Sequence, residues 1–286
     1  MGDRRPAARP GPAGRALCER IVGTGGGGTH GRALRRLVRP AAERRPVVRV
    51  IRAVNPAAAA AVAARLVADA CRHAVAERGH ALIAVSGGET PGPMLLQLAR
   101  LDVPWSHVHV AQVDERVVPR DDPRRNLRAL ERSLVASGAL PRAQLHAMPV
   151  EADDLDAAPS AYVSILESLA GRPLMFDLVQ LGLGTDGHTA SLVPGDPALD
   201  VVDHDVALTG DYHGLRRMTL TFPALNRARR RLWLVTGETK RRPLAELLAD
   251  PLDVRRDDGI APALRVERDA TDVVADAAAC GDVPEG

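Results

Sequence analysis

Asp186 and His188 stand two residues apart within Gly182-Leu183-Gly184-Thr185-Asp186-Gly187-His188-Thr189-Ala190-Ser191-Leu192-Val193-Pro194-Gly195. Glycines let a backbone approach a ligand closely, and an imidazole titrates near neutrality, so His188 is the candidate general base and Asp186 the group that orients or polarises it. For an arbitrary Asp-X-His the default is a satisfied loop histidine beside a solvent-facing acid. A metal pair is the weaker alternative, because no third ligand has suggestive spacing.

Three further clusters carry chemistry. Ser86-Gly87-Gly88-Glu89-Thr90-Pro91 lies between a strand pattern and a helix start, where backbone N–H groups and the helix dipole hold an anion without a basic side chain. Ser86, Gly87, Gly88 and Thr90 are its candidate phosphate contacts, although the pattern alone serves a tight turn equally well. Asp114-Glu115-Arg116 crowds three charges at the end of an apolar strand. On spacing alone that is an ion-paired surface turn; at an active-site rim, Arg116 would steady an oxyanion or a phosphate, with Asp114 beside it. Lys240 is the only lysine against 37 arginines, so an ammonium retained there implies a demand for compactness or geometry that Arg does not meet. Arg217 completes a cationic pair suited to a sugar phosphate.

These segments, with Arg217-Met218-Thr219-Leu220-Thr221 and Thr236-Gly237-Glu238-Thr239-Lys240, occur in the order found in the 6-phosphogluconolactonases, and the chain resembles that family over roughly residues 46–280. The resemblance implies hydrolysis of 6-phospho-D-glucono-1,5-lactone to 6-phosphogluconate, with His188 as base and neither metal nor organic cofactor. Two positions depart from the family pattern. Glu89 stands where a small polar residue is usual and is expected to point away from a phosphate or to cap the helix; Arg125-Asn126 stands where a Ser-Asn pair is usual, which leaves the serine's contribution unaccounted for. Glucosamine-6-phosphate deaminase shares a glycine-rich phosphate loop and an Asp-Gly-His turn, but its glutamate five residues after the histidine is Val193 here. A non-catalytic sugar-phosphate sensor would need a DNA-binding module, and glycine and proline interrupt every candidate helix-turn-helix in the first 45 residues. Aromatic residues, at 2%, also argue against stacking on single-stranded nucleic acid.

The elements that must position these groups read as strand, loop and helix in alternation. Strands are expected at Val47–Ile51, Ala81–Val85, Val108–Val113, Phe176–Leu181, Met218–Phe222 and Leu232–Val235, the second without polar alternation, as in a sheet covered on both faces. Helices are expected from Pro56, capped by Asn55, through Ala76 to a stop at Gly79, then after the Ser86 loop, over Leu127–Ala136, Ala161–Leu169 and Pro243–Ala249. The tail from Ile260 to Ala279 is expected to add a strand around Leu264–Val266 and a short helix. The fold class is α/β: a doubly wound, mostly parallel, Rossmann-like sheet with helices on both faces, forming one domain over 46–286.

Residues 1–45 hold eleven arginines against three acids, or +8 of charge, leaving −6 on the remainder of a chain whose net charge is +2. A basic arm suits nucleic acid or an acidic surface. Its Ala, Gly, Pro and Arg composition without an apolar period instead predicts disorder, or a start codon placed too far upstream. Gly25–Gly28 has no strand before it and is not a phosphate loop. With no membrane-length apolar run and no signal-peptide core, a cytoplasmic protein is expected, with no nucleic-acid or membrane partner, as a monomer or weak homo-oligomer. Cys18, Cys71 and Cys280 lack ligand spacing and read as free thiols.

Overall fold

Asn55, Pro56 and Gly79 mark the ends of the first helix as their chemistry requires. In the computed structural model, which describes residues 48–249 and 261–281, helix α1 spans Pro56–Arg78; the Asn55 side chain accepts from Ala58 N at 2.8 Å, and Gly79 closes the helix at φ 79°. The arginine-rich stretch 1–45 with Cys18, Val47 and Ile260 lie outside the described residues. The buried face of α1 is mostly alanine, which lets the helix lie close against a sheet.

That sheet has seven strands: β1 (Arg49–Ala53), β2 (Ala81–Val85), β3 (Val108–Gln112), β5 (Leu145–His146), β6 (Leu178–Leu181), β9 (Arg231–Val235) and β10 (Thr271–Asp276). Their order is β1-β10-β9-β6-β2-β3-β5 and every neighbouring pair is parallel. Parallel strands need crossovers that cover both faces. The pleat divides β2 accordingly. Leu82 and Ala84 join a core with Tyr162 and Leu166 of α4 (Ala158–Ala170) and Leu244 of α6 (Arg241–Leu248). Ala81, Ile83 and Val85 join a second core with Ala63 and Val67 of α1, Leu95 and Leu98 of α2 (Pro91–Leu98), and Leu127 and Leu130 of α3 (Asn126–Leu130). A π-helical turn, Glu131–Val135, continues α3, so the expected Leu127–Ala136 helix is present but changes winding midway. Among the described residues no helix is long and apolar enough to cross a membrane, and Cys71 and Cys280 are buried free thiols.

Two expectations fail. The tail strand is Thr271–Asp276, followed by α7 (Ala277–Cys280), whereas Leu264 lies in a 3₁₀ turn, Pro262–Arg265, which a proline opens. The polar residues of β10 disguised it. Asp272 is paired with Arg49 at 2.7 Å and Arg230 at 2.8 Å, and Asp276 caps α7 through Ala279 N at 2.8 Å. The run Met218–Phe222 also divides: β8 is Arg217–Leu220, and Phe222 begins α5 (Phe222–Arg227).

A second sheet, β4 (Asp114–Arg116), β8 and β7 (Val206–Leu208), is antiparallel in the order β4-β8-β7. Asp114-Glu115-Arg116 is therefore a strand and not a surface turn, and its period of two sends Glu115 to the face opposite Asp114 and Arg116. Glu115 is fully buried and accepts at 2.8 Å from Gln112 Nε2 and from the backbone N–H groups of Arg116, Asn126 and Leu127. It thus caps α3 with a full negative charge. Arg125 Nε stands 3.2 Å from the same carboxylate, and Arg125 Nη1 donates to Val118 O at 2.8 Å. Glu115→Ala should cost about 3–5 kcal/mol of stability, since it leaves the buried Arg125 guanidinium with only the exposed Glu151 carboxylate at 3.3 Å and leaves two helix N–H groups unpaired. Denaturant titration measures this, and a midpoint equal to the parent's would contradict the account of β4 and α3.

Candidate active site

The carboxyl ends of β2, β6 and β9 are neighbours in the large sheet, and β4 and β8 of the small sheet complete the wall of a cleft of about 340 Å³. Ligands of open α/β sheets bind at this edge. Ser86, Gly87, Thr90, Asp114, Arg116, Asn126, His188, Arg217 and Lys240 line the cleft, so nine of the eleven residues singled out by sequence meet there. Gly88 and Asp186 do not line it. Gly88 turns the chain at φ 104°, and Asp186 lies behind His188.

His188 Nδ1 stands 2.6 Å from Asp186 Oδ1, which also accepts from His188 N at 3.2 Å. Donation from Nδ1–H to a carboxylate leaves Nε2 with the lone pair. Gly184 makes this possible, because a Cβ there would collide with Asp186 Oδ1 and His188 Nδ1. Burial pushes the Asp186 carboxyl up, but the His188 charge, His188 N–H and the Tyr212 hydroxyl together hold it below the usual carboxylate range. Tyr212, which sequence reasoning missed, donates to Asp186 Oδ2 at 3.1 Å.

Arg116, Arg217 and Lys240 line the same cleft, and among the described residues none of them is ion-paired with a carboxylate. Arg116 and Arg217 are directly opposed across β4 and β8, an arrangement of like charges that costs stability unless something negative joins them. Arg116 donates to Arg124 O at 3.0 Å and to Asn126 Oδ1. Arg217 is buried, with its Nε lacking any hydrogen bond and its Nη1 only 3.4 Å from Ser191 Oγ. Burial lowers its basicity, with Asp114 opposing that shift and Arg116 adding to it. Lys240 stands just before α6, its ammonium making no hydrogen bond or ion pair among the described residues; burial lowers its pKa and Asp186 partly restores it.

The remaining residues hold these in register. Asp114 accepts from Ser191 Oγ at 2.6 Å and from Asn126 Nδ2 at 3.1 Å, which joins the His188 loop to α3. Gly87 is close to Asn126, whose Cβ would be 2.5 Å from a methyl group placed there. Ser86 is tied to β6, donating from N to Gln180 Oε1 and from Oγ to Gln180 O, both at 3.1 Å. Glu89 is exposed on the cleft lip and the N-cap position, Thr90, makes no side-chain cap bond, so Glu89 neither caps α2 nor leaves the cleft. Arg125, at the position of the expected serine, turns away to Glu115. Ser191 was not singled out from the sequence either, although its place three residues after His188 is a signal that a hydroxyl lies near the base; Tyr212, 24 residues beyond His188 in a connecting turn, left no sequence signal. Among the described residues no three His, Cys, Asp or Glu side chains are placed to hold a metal ion.

Residues 54–275 match the family described as glucosamine-6-phosphate isomerases/6-phosphogluconolactonase. A 6-phosphogluconolactonase of Synechocystis is 42% identical over 184 residues, 63% of this chain and 76% of that one. Another from Mycobacterium tuberculosis is 39% identical over 207 residues, covering 68% and 84%. Among solved structures, a 6-phosphogluconolactonase from Thermotoga maritima superposes with a TM-score of 0.69 at 26% identity, over 80% of this chain and 99% of its own. A monomeric glucosamine-6-phosphate deaminase shares the fold, with a TM-score of 0.67 at 22% identity over 81% and 98%. From its match over most of its length and from these relatives, the chain belongs to the glucosamine-6-phosphate isomerase/6-phosphogluconolactonase family.

Proposed function

We propose that this protein hydrolyses 6-phospho-D-glucono-1,5-lactone to 6-phospho-D-gluconate, the ring-opening step of the oxidative pentose phosphate pathway, as a cytoplasmic enzyme acting on a diffusible sugar phosphate. One observation carries the reading: an imidazole fixed by Asp186 at 2.6 Å shares a cleft with three cations and a glycine turn at a helix start. The relatives named 6-phosphogluconolactonase support the same activity.

In this reading His188 Nε2 takes a proton from water as its oxygen attacks the lactone carbonyl carbon. Arg116, steadied by Asn126, offsets the charge that develops on the carbonyl oxygen. The tetrahedral intermediate then breaks its bond to the ring oxygen, which takes the proton from the imidazolium. The product is a hydroxy acid that ionises at neutral pH. Asp186 keeps the ring in one tautomer throughout and stabilises the imidazolium. The phosphate sits against the Gly87 and Thr90 backbone, Arg217 and Lys240, and so fixes the carbonyl relative to the water; this is an orientation effect added to acid–base catalysis.

A deaminase would require a proton-transferring carboxylate at position 193. Val193 is 4% exposed and part of the packed interior, so it offers neither a titratable group nor room for one.

His188→Ala should lower turnover of the phosphorylated lactone by about 10²–10⁴-fold while 6-phosphogluconate still binds, measured by proton release and by calorimetry. Unchanged turnover would remove His188 from the mechanism. The lowered Lys240 pKa gives a second expectation. Because this ammonium loses its proton below the ordinary lysine value of 10.5, 6-phosphogluconate affinity should weaken as pH rises toward that value. In Lys240→Arg that alkaline loss should disappear, since guanidinium keeps its charge. Identical alkaline profiles for the parent and the arginine variant would show that Lys240 does not hold the phosphate.

A further inference from the structure

Tyr212 lies outside the cleft lining yet touches three of the groups assigned above. Its hydroxyl donates to Asp186 Oδ2 at 3.1 Å. Its ring meets the His188 ring edge-on, with centroids 5.8 Å apart and planes at 70°. The Arg217 guanidinium carbon sits 4.9 Å from the centre of the same ring, a cation–π geometry. The turn that carries Tyr212 is tightly closed. Tyr212 N donates to Leu215 O at 3.0 Å, Gly214 N donates to Asp211 Oδ1 at 2.8 Å, and His213 and Gly214 take left-handed φ values of 56° and 76°.

We infer that Tyr212 is a positioning residue that couples the base to the anion seat: its hydroxyl locks the Asp186 carboxylate that aims His188, and its ring holds Arg217 against the phosphate. The inference rests on the reading of His188 as base. The hydroxyl arm works by geometry. With Oδ1 held by His188 and Oδ2 by Tyr212, the carboxylate is clamped from both sides and cannot rotate, so the imidazole has one tilt. The ring arm works by electrostatics. Arg217 lacks an acidic partner within hydrogen-bond reach and faces Arg116 across the strands, so the electron-rich ring adds to the longer-range attraction of Asp114 in stabilising the guanidinium before an anion arrives. Burial, followed by the Asp186 hydrogen bond and charge, raises the Tyr212 pKa, so the phenol remains a donor through neutral pH.

The charged neighbours of this assembly are Lys240 and Arg217, with Arg116 and Asp114 beyond Arg217, and the His213 ring packs 4.1 Å from that of Tyr212. None of these groups replaces the hydroxyl on Asp186 Oδ2. A carboxylate that loses this donor becomes more basic and holds an imidazolium more strongly. The acid limb of the rate profile must then move toward higher pH.

The experiment compares the parent, Tyr212→Phe, Tyr212→Leu and His188→Ala, using fresh phosphorylated lactone across a pH series with melting temperatures recorded. Tyr212→Phe keeps the ring. Its kcat should fall about ten-fold with KM within about two-fold of the parent's, the loss expected for one hydrogen bond to a charged group. Its acid limb in kcat/KM should rise by about half a pH unit. Tyr212→Leu should show the same kcat loss and, in addition, a several-fold higher KM as Arg217 loses its support. Parental kcat and an unmoved acid limb in Tyr212→Phe, beside an inactive His188→Ala, would overturn the inference and leave the base assignment intact. A lowered melting temperature with an unmoved acid limb would reduce Tyr212 to a structural residue, which also overturns it. Turnover by His188→Ala equal to the parent's would remove the base assignment and this inference together.

Discussion

The 2.6 Å contact between Asp186 and His188 Nδ1 is the constraint around which the rest of the site is arranged. It selects the tautomer with a free Nε2 and fixes the plane in which that nitrogen points, so every other group must be placed relative to it. The contact is built locally. Gly184 N donates to His188 O at 2.8 Å and Gly187 N to Gly184 O at 3.2 Å, which closes the turn so tightly that Gly184 has no space for a side chain. A short glycine turn at a strand end therefore does the work that a longer framework would do less precisely.

The cationic side of the cleft, by contrast, is assembled from distant parts of the chain. Arg116 and Arg217 arrive on opposed strands of the small sheet, Lys240 on the connection from β9 to α6, and the glycine turn on the connection from β2 to α2. Gathering cations around one cleft is unfavourable, and packing on the far side of β4 holds the strand in place against it. Glu115 neutralises Arg125 and the start of α3, which keeps the strand rigid while its alternate residues, Asp114 and Arg116, face the cleft. Glu89, exposed on the lip, brings a negative charge to a cleft lined by three cations.

Much of this was legible in the sequence because it is local. The apolar run Ala81–Val85, the Asn55-Pro56 start and the Gly79 stop each dictate a backbone conformation within a few residues, and the strand-turn-helix alternation dictates a parallel sheet. What was not legible depends on tertiary pairing. Thr271–Asp276 is an interior strand whose two aspartates are satisfied by Arg49, Arg230 and the α7 backbone, partners no local pattern reveals. Glu115 looked like one of three surface charges, and only pairing with β8 sends it inward. Tyr212 reaches Asp186 from a connecting turn, and its neighbours along the chain carry no signal of that contact.

The central claim is that an oriented imidazole and a separate anion seat act on one substrate. Its most direct measurement is the ratio of kcat/KM for 6-phosphogluconolactone to that for unphosphorylated gluconolactone, each followed by proton release and corrected for spontaneous hydrolysis. The account predicts a preference for the phosphorylated lactone of about a hundred-fold or more, since losing contacts to a buried charged site costs about 3 kcal/mol. Equal values for the two lactones would contradict it.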